Sequence, residues 1–302
     1  MRALARFLFV VVCLVGTAPA AFAEDADAYY KQGLAYKHEG KTDEAIKALE
    51  AAVAANPQHG MAWASLGNLY KTQKQDIPKA VHAYEMATAV IKKDKTLWAN
   101  LGMAYYRNKQ VDQALAALIT ACKLDPKDAD IRGNLGTVRR QKGDAAGAIV
   151  DLEIAVKLKP TDASYLNNLG VAYRNAKRDD DAIKSFTKAI ELAPNDPGFH
   201  FNLAVVYRRK EMYEQAAPEY EKSVGLDPGN ADAWFDLGFV HKQLHDNDKA
   251  IAAFSKYLEL NKGKDAEGAK RVSDEIGALG GKVKDDKKPP GTPKKSPPPN
   301  KK

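Results

Sequence analysis

Trp63-Ala64-Ser65-Leu66-Gly67-Asn68-Leu69-Tyr70 is the stretch whose reading decides the fold. Trp63, Leu66, Gly67 and Tyr70 are spaced by threes and fours, so they share one face of a helix. Glycine inside a helix is unfavourable by roughly 0.5–1 kcal/mol relative to alanine, so its presence on that face marks the close approach of a neighbour. The glycine recurs at Gly33, Gly102, Gly136, Gly170 and Gly238, with Ala204 in the one remaining step. The spacing is 34 residues, except for one step of 35 between Gly67 and Gly102. A second small residue keeps the same beat at Ala45, Ala80, Ala114, Ala148, Ala182, Ala216 and Ala250, 12 residues after the first, or 13 in the second unit. Two small residues per period mark two helices in close contact. A unit of that size cannot bury its apolar face alone, so neighbours stack into an all-α solenoid with a continuous core.

With the glycine as position 8, position 4 carries Tyr29, Trp63, Trp98, Leu166 and Trp234, and position 11 carries Tyr36, Tyr70, Tyr105, Tyr173 and Tyr207. Position 24 carries Leu49, Tyr84, Leu118, Leu152, Phe186, Tyr220 and Phe254, which gives the second helix an apolar face of its own. Pro57, Pro126, Pro160, Pro194 and Pro228 stand where that helix must stop, because proline lacks the amide hydrogen and disfavours helical geometry in the residue before it. The combination W-x-x-L-G-x-x-Y, then A, then F or Y, A and P resembles the tetratricopeptide repeat. The resemblance covers seven units, from about Ala26 to Lys264, and implies a right-handed superhelix whose concave groove is lined by the first (A) helices. It also implies binding of peptides or proteins rather than catalysis. The expected organisation is a signal peptide over 1–23, the solenoid over 24–264, a capping helix over 265–279 and a Lys/Pro-rich tail over 280–302.

The leader reading rests on Arg2 and Arg6, the apolar run Phe7 to Gly16, and Ala21-Phe22-Ala23 before Glu24, the pattern of an exported chain cleaved near Ala23. Its loss would leave Cys122 as the sole cysteine and no disulfide. The net charge is +7. Residues 282 to 302 hold +6 of it and the leader +2, which leaves the array at −1. The basicity therefore belongs to the ends and does not describe a nucleic-acid-binding surface. The tail reads either as a solubilising extension or as a contact with an anionic envelope surface.

In the geometry the resemblance implies, positions 2, 6, 9 and 13 of the A helices face the groove. Position 6 holds asparagine in four consecutive units, Asn100, Asn134, Asn168 and Asn202. An asparagine amide offers a donor and an acceptor together, matching one peptide unit irrespective of its side chain. Positions 12 and 13 carry Lys37, Lys71, Arg107, Arg140, Arg174, Arg208, Arg209 and Lys242, suited to carboxylates of a ligand or to the dipole at the helix C-terminus. Phe201, Phe235 and Phe239 add apolar rings, either as a pocket for one hydrophobic anchor or as packing under the capping helix. The expected partner is a protein or peptide segment, extended and acidic, gripped during assembly of an envelope complex. The alternatives are a structural envelope tether acting through the basic tail and self-association, and, least supported, a metal-dependent or accessory enzyme.

No Gly-rich phosphate loop, G-x-S-x-G or Cys/His cluster supports an enzyme, and no cofactor is expected. His241 and His245 have a spacing that can hold a metal, but His241 takes the place of a packed tyrosine. Two departures from the pattern carry expectations of their own. Arg132 and Arg139 replace aromatic residues at positions 4 and 11 of unit four, so that face must be wet or supplied with carboxylates such as Asp151 or Glu153. Pro218 lies inside the second helix of unit six, which predicts a bend or a delayed start.

Overall fold

Among the described residues seven helical hairpins follow one another, as the period requires. The computed structural model describes residues 20–261 and 265–282, with side chains from Asp25 onward. Most of the leader and the tail beyond residue 282 lie outside the described residues. Those described divide into two compact bodies, the first ending at Leu158 and the second beginning at Lys159. The first holds four hairpins: α1 (Ala20–His38) with α2 (Thr42–Ala55), α3 (Gly60–Leu69) with α4 (Ile77–Val90), α5 (Lys95–Arg107) with α6 (Val111–Leu124), and α7 (Ala129–Gln141) with α8 (Ala145–Leu158). The second holds three, α9 (Ala163–Asn175) with α10 (Asp179–Leu192), α11 (Pro197–Arg209) with α12 (Tyr213–Leu226), and α13 (Ala231–Gln243) with α14 (Asn247–Asn261). The expected capping helix follows as α15 (Ala266–Ala278).

The small residues do what the period implied. A Cβ added at Gly33, Gly102, Gly136, Gly170 or Gly238 would lie 2.5–2.7 Å from Leu49, Leu118, Leu152, Phe186 or Phe254, the position-24 residue of the same hairpin. The alanines at Ala45, Ala80, Ala114, Ala148, Ala182, Ala216 and Ala250 are all fully buried. A large side chain in either place would force the two helices apart. Proline follows five of the seven hairpins described, and after four of these an acid or amide two residues later begins the next: Asp128, Asp162, Asp196 and Asn230 accept from the first free amides of α7, α9, α11 and α13.

The corner inside each hairpin is built on one left-handed residue. Gly40, Gln75, Lys109, Gly143, Lys177, Glu211 and His245 all have φ between 53° and 87°, and five of the seven are not glycine. The extra residue of the second repeat is placed just before its corner. Here α3 runs into a π-helical segment, Tyr70–Lys74, and the amide of Asp76 reaches back to the carbonyl of Tyr70 at 2.9 Å. One residue is thereby absorbed as a wider turn. Gly67 then meets Tyr84, 17 positions on, where the other repeats need 16.

Arg132 and Arg139 on α7 share the carboxylate of Asp151 on α8, at 2.6 and 3.1 Å, and Asp151 is only 2 % exposed. This is the supplied acid that the two arginines demanded. The polar hydrogen at position 4 has a fixed use as well. Trp63, Trp98 and Trp234 donate their indole N–H to the carbonyl six residues earlier, and Arg132 Nε does the same to Pro126 at 3.0 Å. The delayed start expected from Pro218 does not occur: α12 begins at Tyr213 and continues through it. Pro218 and Glu214 are both exposed, so the carbonyl left without its donor is within reach of water.

Candidate functional site

Of the residues singled out in the sequence, Asn100 and Arg107 stand on α5 of the first body and Asn134 and Arg140 on α7. Asn100 is half-buried and its Oδ1 accepts from Lys71 Nζ, 2.9 Å away on the preceding A helix. Burial, and next the charge of Arg107, hold the Lys71 ammonium below its ordinary value. Asn134 is half-buried and makes no side-chain hydrogen bond among the described residues. Arg107 is exposed, and Arg140 has its Nε buried without a hydrogen-bond partner. Neither arginine, nor Lys71, has an ion pair among the described residues. Lys71, Arg107 and Arg140 are thus three cations of these A helices with no paired carboxylate among the described residues.

The second body uses the same positions differently. Asn168 is half-buried with no side-chain hydrogen bond among the described residues, while Asn202 accepts from Arg174 at 3.1 Å and donates to Asn167 Oδ1 at 3.0 Å. Arg208 lies 3.5 Å from Asp236 and donates to Tyr220 Oη at 3.3 Å, and that hydroxyl donates to Asp236 at 3.0 Å. Burial raises the Asp236 carboxyl above its usual range, against the pull of Arg208. Arg209 donates to the carbonyl of Arg174 and ion-pairs with Asp179. Lys242 pairs with Glu275 of α15 at 2.5 Å. One rule covers three of these contacts: the cation at position 12 reaches the acceptor at position 6 of the next repeat, from Lys71 to Asn100, Arg174 to Asn202 and Arg208 to Asp236. Among the described residues the basic stripe is therefore engaged through much of the second body and without paired carboxylates in the first.

The three phenylalanines have separate neighbours. Phe201 packs edge-on against Tyr220, with centroids 5.9 Å apart. Phe239 meets Tyr213 at 6.4 Å and carries the Arg208 guanidinium 5.7 Å above its ring. Phe235 stacks at an angle on Tyr257 and Phe254, at 5.4 and 6.0 Å, yet stays 40 % exposed. Phe235 and Phe239 line a cavity of 230 Å³ with Lys242, Phe254, Arg271, Val272 and Glu275.

His241 is buried with Nε2 3.4 Å from Glu221, and His245 is the left-handed residue of its corner, so both belong to the scaffold. Cys122 is buried in the core beside Leu118, Ile131 and Leu135, and burial pushes its thiol up.

The tetratricopeptide-repeat model named for the C-terminal domain of cilia and flagella-associated protein 70 matches residues 12–233. A second tetratricopeptide-repeat model matches residues 207–271. The chain belongs to the tetratricopeptide-repeat family. No curated protein matches it. Among solved structures, this tetratricopeptide-repeat chain is similar to a tetratricopeptide repeat protein from Parabacteroides merdae, with a TM-score of 0.65 and 17% identity over 82% of this chain and 99% of that one. The Cut9–Hcn1 hetero-tetramer of the APC/C gives a TM-score of 0.57 and 26% identity over 72% of this chain, which spans only 43% of that one. YrrB, described as a tetratricopeptide-repeat protein with an unusual peptide-binding site, gives 0.53 and 22% identity over 65% of this chain and 100% of that one. Such likeness fixes the fold.

Proposed function

We propose that this chain is an exported scaffold that holds an extended, acidic segment of a partner protein along the groove of its A helices and so assists assembly of an envelope complex. The observation that carries the reading is the set of uncompensated cations on the A helices of the first body. Among the described residues Lys71, Arg107 and Arg140 have no paired carboxylate, and the Asn134 amide has no hydrogen-bond partner. An acidic segment supplies both needs, its carboxylates meeting the guanidinium groups and its backbone meeting the amide. Complementary charge also steers the encounter and excludes basic competitors. Export rests on the leader, with Arg2, Arg6, the run from Phe7 to Gly16, and Ala21-Phe22-Ala23.

The test is capture of the partner from the exporting cell by the full chain and by its R107S/R140S variant, with cross-links mapped by mass spectrometry. The expected result is cross-linking of an acidic segment to residues 95–141, and affinity lowered about tenfold in the variant, the effect of losing one exposed and one half-buried ion pair. Undiminished capture by the variant, or a bound segment without acidic residues, would overturn it.

A further inference from the structure

We infer that the cavity between α13, α14 and α15 receives one apolar side chain, aromatic or large aliphatic, whose own or adjacent carboxylate pairs with Arg271. Phe235 projects from position 5 of α13, where repeats two to four have Ala64, Ala99 and Gly133. Its ring is held at an angle by Phe254 and Tyr257, and 40 % of it is left in water. A rigid, exposed ring at the mouth of an apolar recess is the arrangement that binding anchors fill. Val272 closes the recess from α15, and Phe239, fixed by Tyr213 and Arg208, forms another wall. The volume of 230 Å³ is below the roughly 300–1,000 Å³ of small-molecule sites, so it suits one residue of a longer ligand.

Charge selects what stands next to that residue. Lys242 and Glu275 neutralise each other across the rim at 2.5 Å. Arg271, exposed and without an ion pair among the described residues, is the surplus cation. The chain's own segment 283–302 fits poorly, because it carries seven lysines against two aspartates and no aromatic residue. The inference rests on the reading of the chain as a peptide binder, but its site is separate in sequence from residues 95–141.

The experiment titrates N-acetyl-L-phenylalanine, and separately its amide, into the isotopically labelled full chain and follows the backbone amide resonances. The expected result is saturable shifts confined to residues 231–279, with the acid bound about fivefold more tightly than the amide, the effect of one exposed ion pair. Arg271→Gln should equalise the two probes, and Phe235→Ala should weaken both. Each substitution is at an exposed position, and unchanged thermal unfolding confirms the fold. R107S/R140S should leave the titration unaltered, which separates this site from the acidic-segment face. Absence of saturable shifts, shifts centred elsewhere, or equal binding of acid and amide by the parent would overturn the inference. So would movement of the same resonances on deleting residues 283–302 without any probe, since the tail would then be the occupant.

Discussion

Replacing Asp151 with alanine removes the one carboxylate that two guanidinium groups share. Asp151 is 2 % exposed, with Arg132 at 2.6 Å and Arg139 at 3.1 Å. Removing one partner of a buried ion pair destabilises by about 3–5 kcal/mol, because it leaves uncompensated charge behind. The arginine side chains retain 20% and 29% exposure, Arg132 keeps its bond to Pro126, and Arg139 keeps Asp144 at 3.5 Å. Water and these remaining contacts soften the loss, which places the expected effect near the lower end, at about 3 kcal/mol. Because repeat arrays can unfold in parts, the informative measurement is the local opening free energy of α7 and α8 by native-state hydrogen exchange, with urea unfolding as the global check. A change below about 1 kcal/mol would refute the argument, since water alone would then satisfy both arginines. A triple variant, R132W/R139Y/D151A, restores the tryptophan, tyrosine and small residue that repeats two and three have at these positions (Trp63, Tyr70 and Ala83; Trp98, Tyr105 and Ala117). It should be neutral or more stable than the parent, as buried ion pairs often are when replaced by packed apolar groups.

Lys109→Gly and Lys177→Gly should each stabilise the chain by about 0.5–1 kcal/mol in chemical denaturation, because they relieve a left-handed non-glycine residue at a hairpin corner; a loss of stability would count against the strain. His241→Tyr should remove a fall in stability on acidification. Burial holds the folded imidazole below its ordinary value of 6.5, so the unfolded chain binds its proton first; the stability contributed by neutral His241 is present above about pH 6.5 and is lost as the pH falls through the folded value. Denaturation midpoints at pH 7.5 and 5 test this, and equal pH slopes for parent and variant would exclude it. Asn134→Ala should weaken partner binding by about 0.5–1.5 kcal/mol in calorimetry without altering stability, because its amide makes no hydrogen bond among the described residues; destabilisation of the free chain would show it to be structural.

The hairpins were legible because the close approach of two helices demands small residues at fixed positions, and Gly33 through Gly238 repeat that demand until chance is excluded. The acid beneath Arg132 and Arg139 was legible too, since a guanidinium on a packing face must have a partner. What position 12 touches was not. The contact of Lys71 with Asn100 or Arg174 with Asn202 joins residues 29 and 28 apart, and the reach of a long cation across two helices leaves no mark in the periodicity. The corner was hidden for a different reason. Its left-handed residue is glycine only at Gly40 and Gly143, and Gln75, Lys109, Lys177, Glu211 and His245 carry no compositional sign of their backbone. Phe201, Phe235 and Phe239 looked alike in sequence, although packing against Tyr220, Tyr257 and Tyr213 gives each a different setting.

The wide turn at Tyr70–Lys74 shows how a chain of this kind changes length without losing phase. Tyr70 still donates to Glu50 on the preceding hairpin at 2.5 Å, and Ala80 beyond the corner is fully buried. Gly102 again meets Leu118 at the ordinary separation. The surplus residue is cancelled within its own repeat, much as a compensating mutation restores a reading frame, and the following hairpins do not register it. Each corner is thus a place where residues can be gained or lost in descent, or grafted by design, while the stacking code on either side is left unaltered.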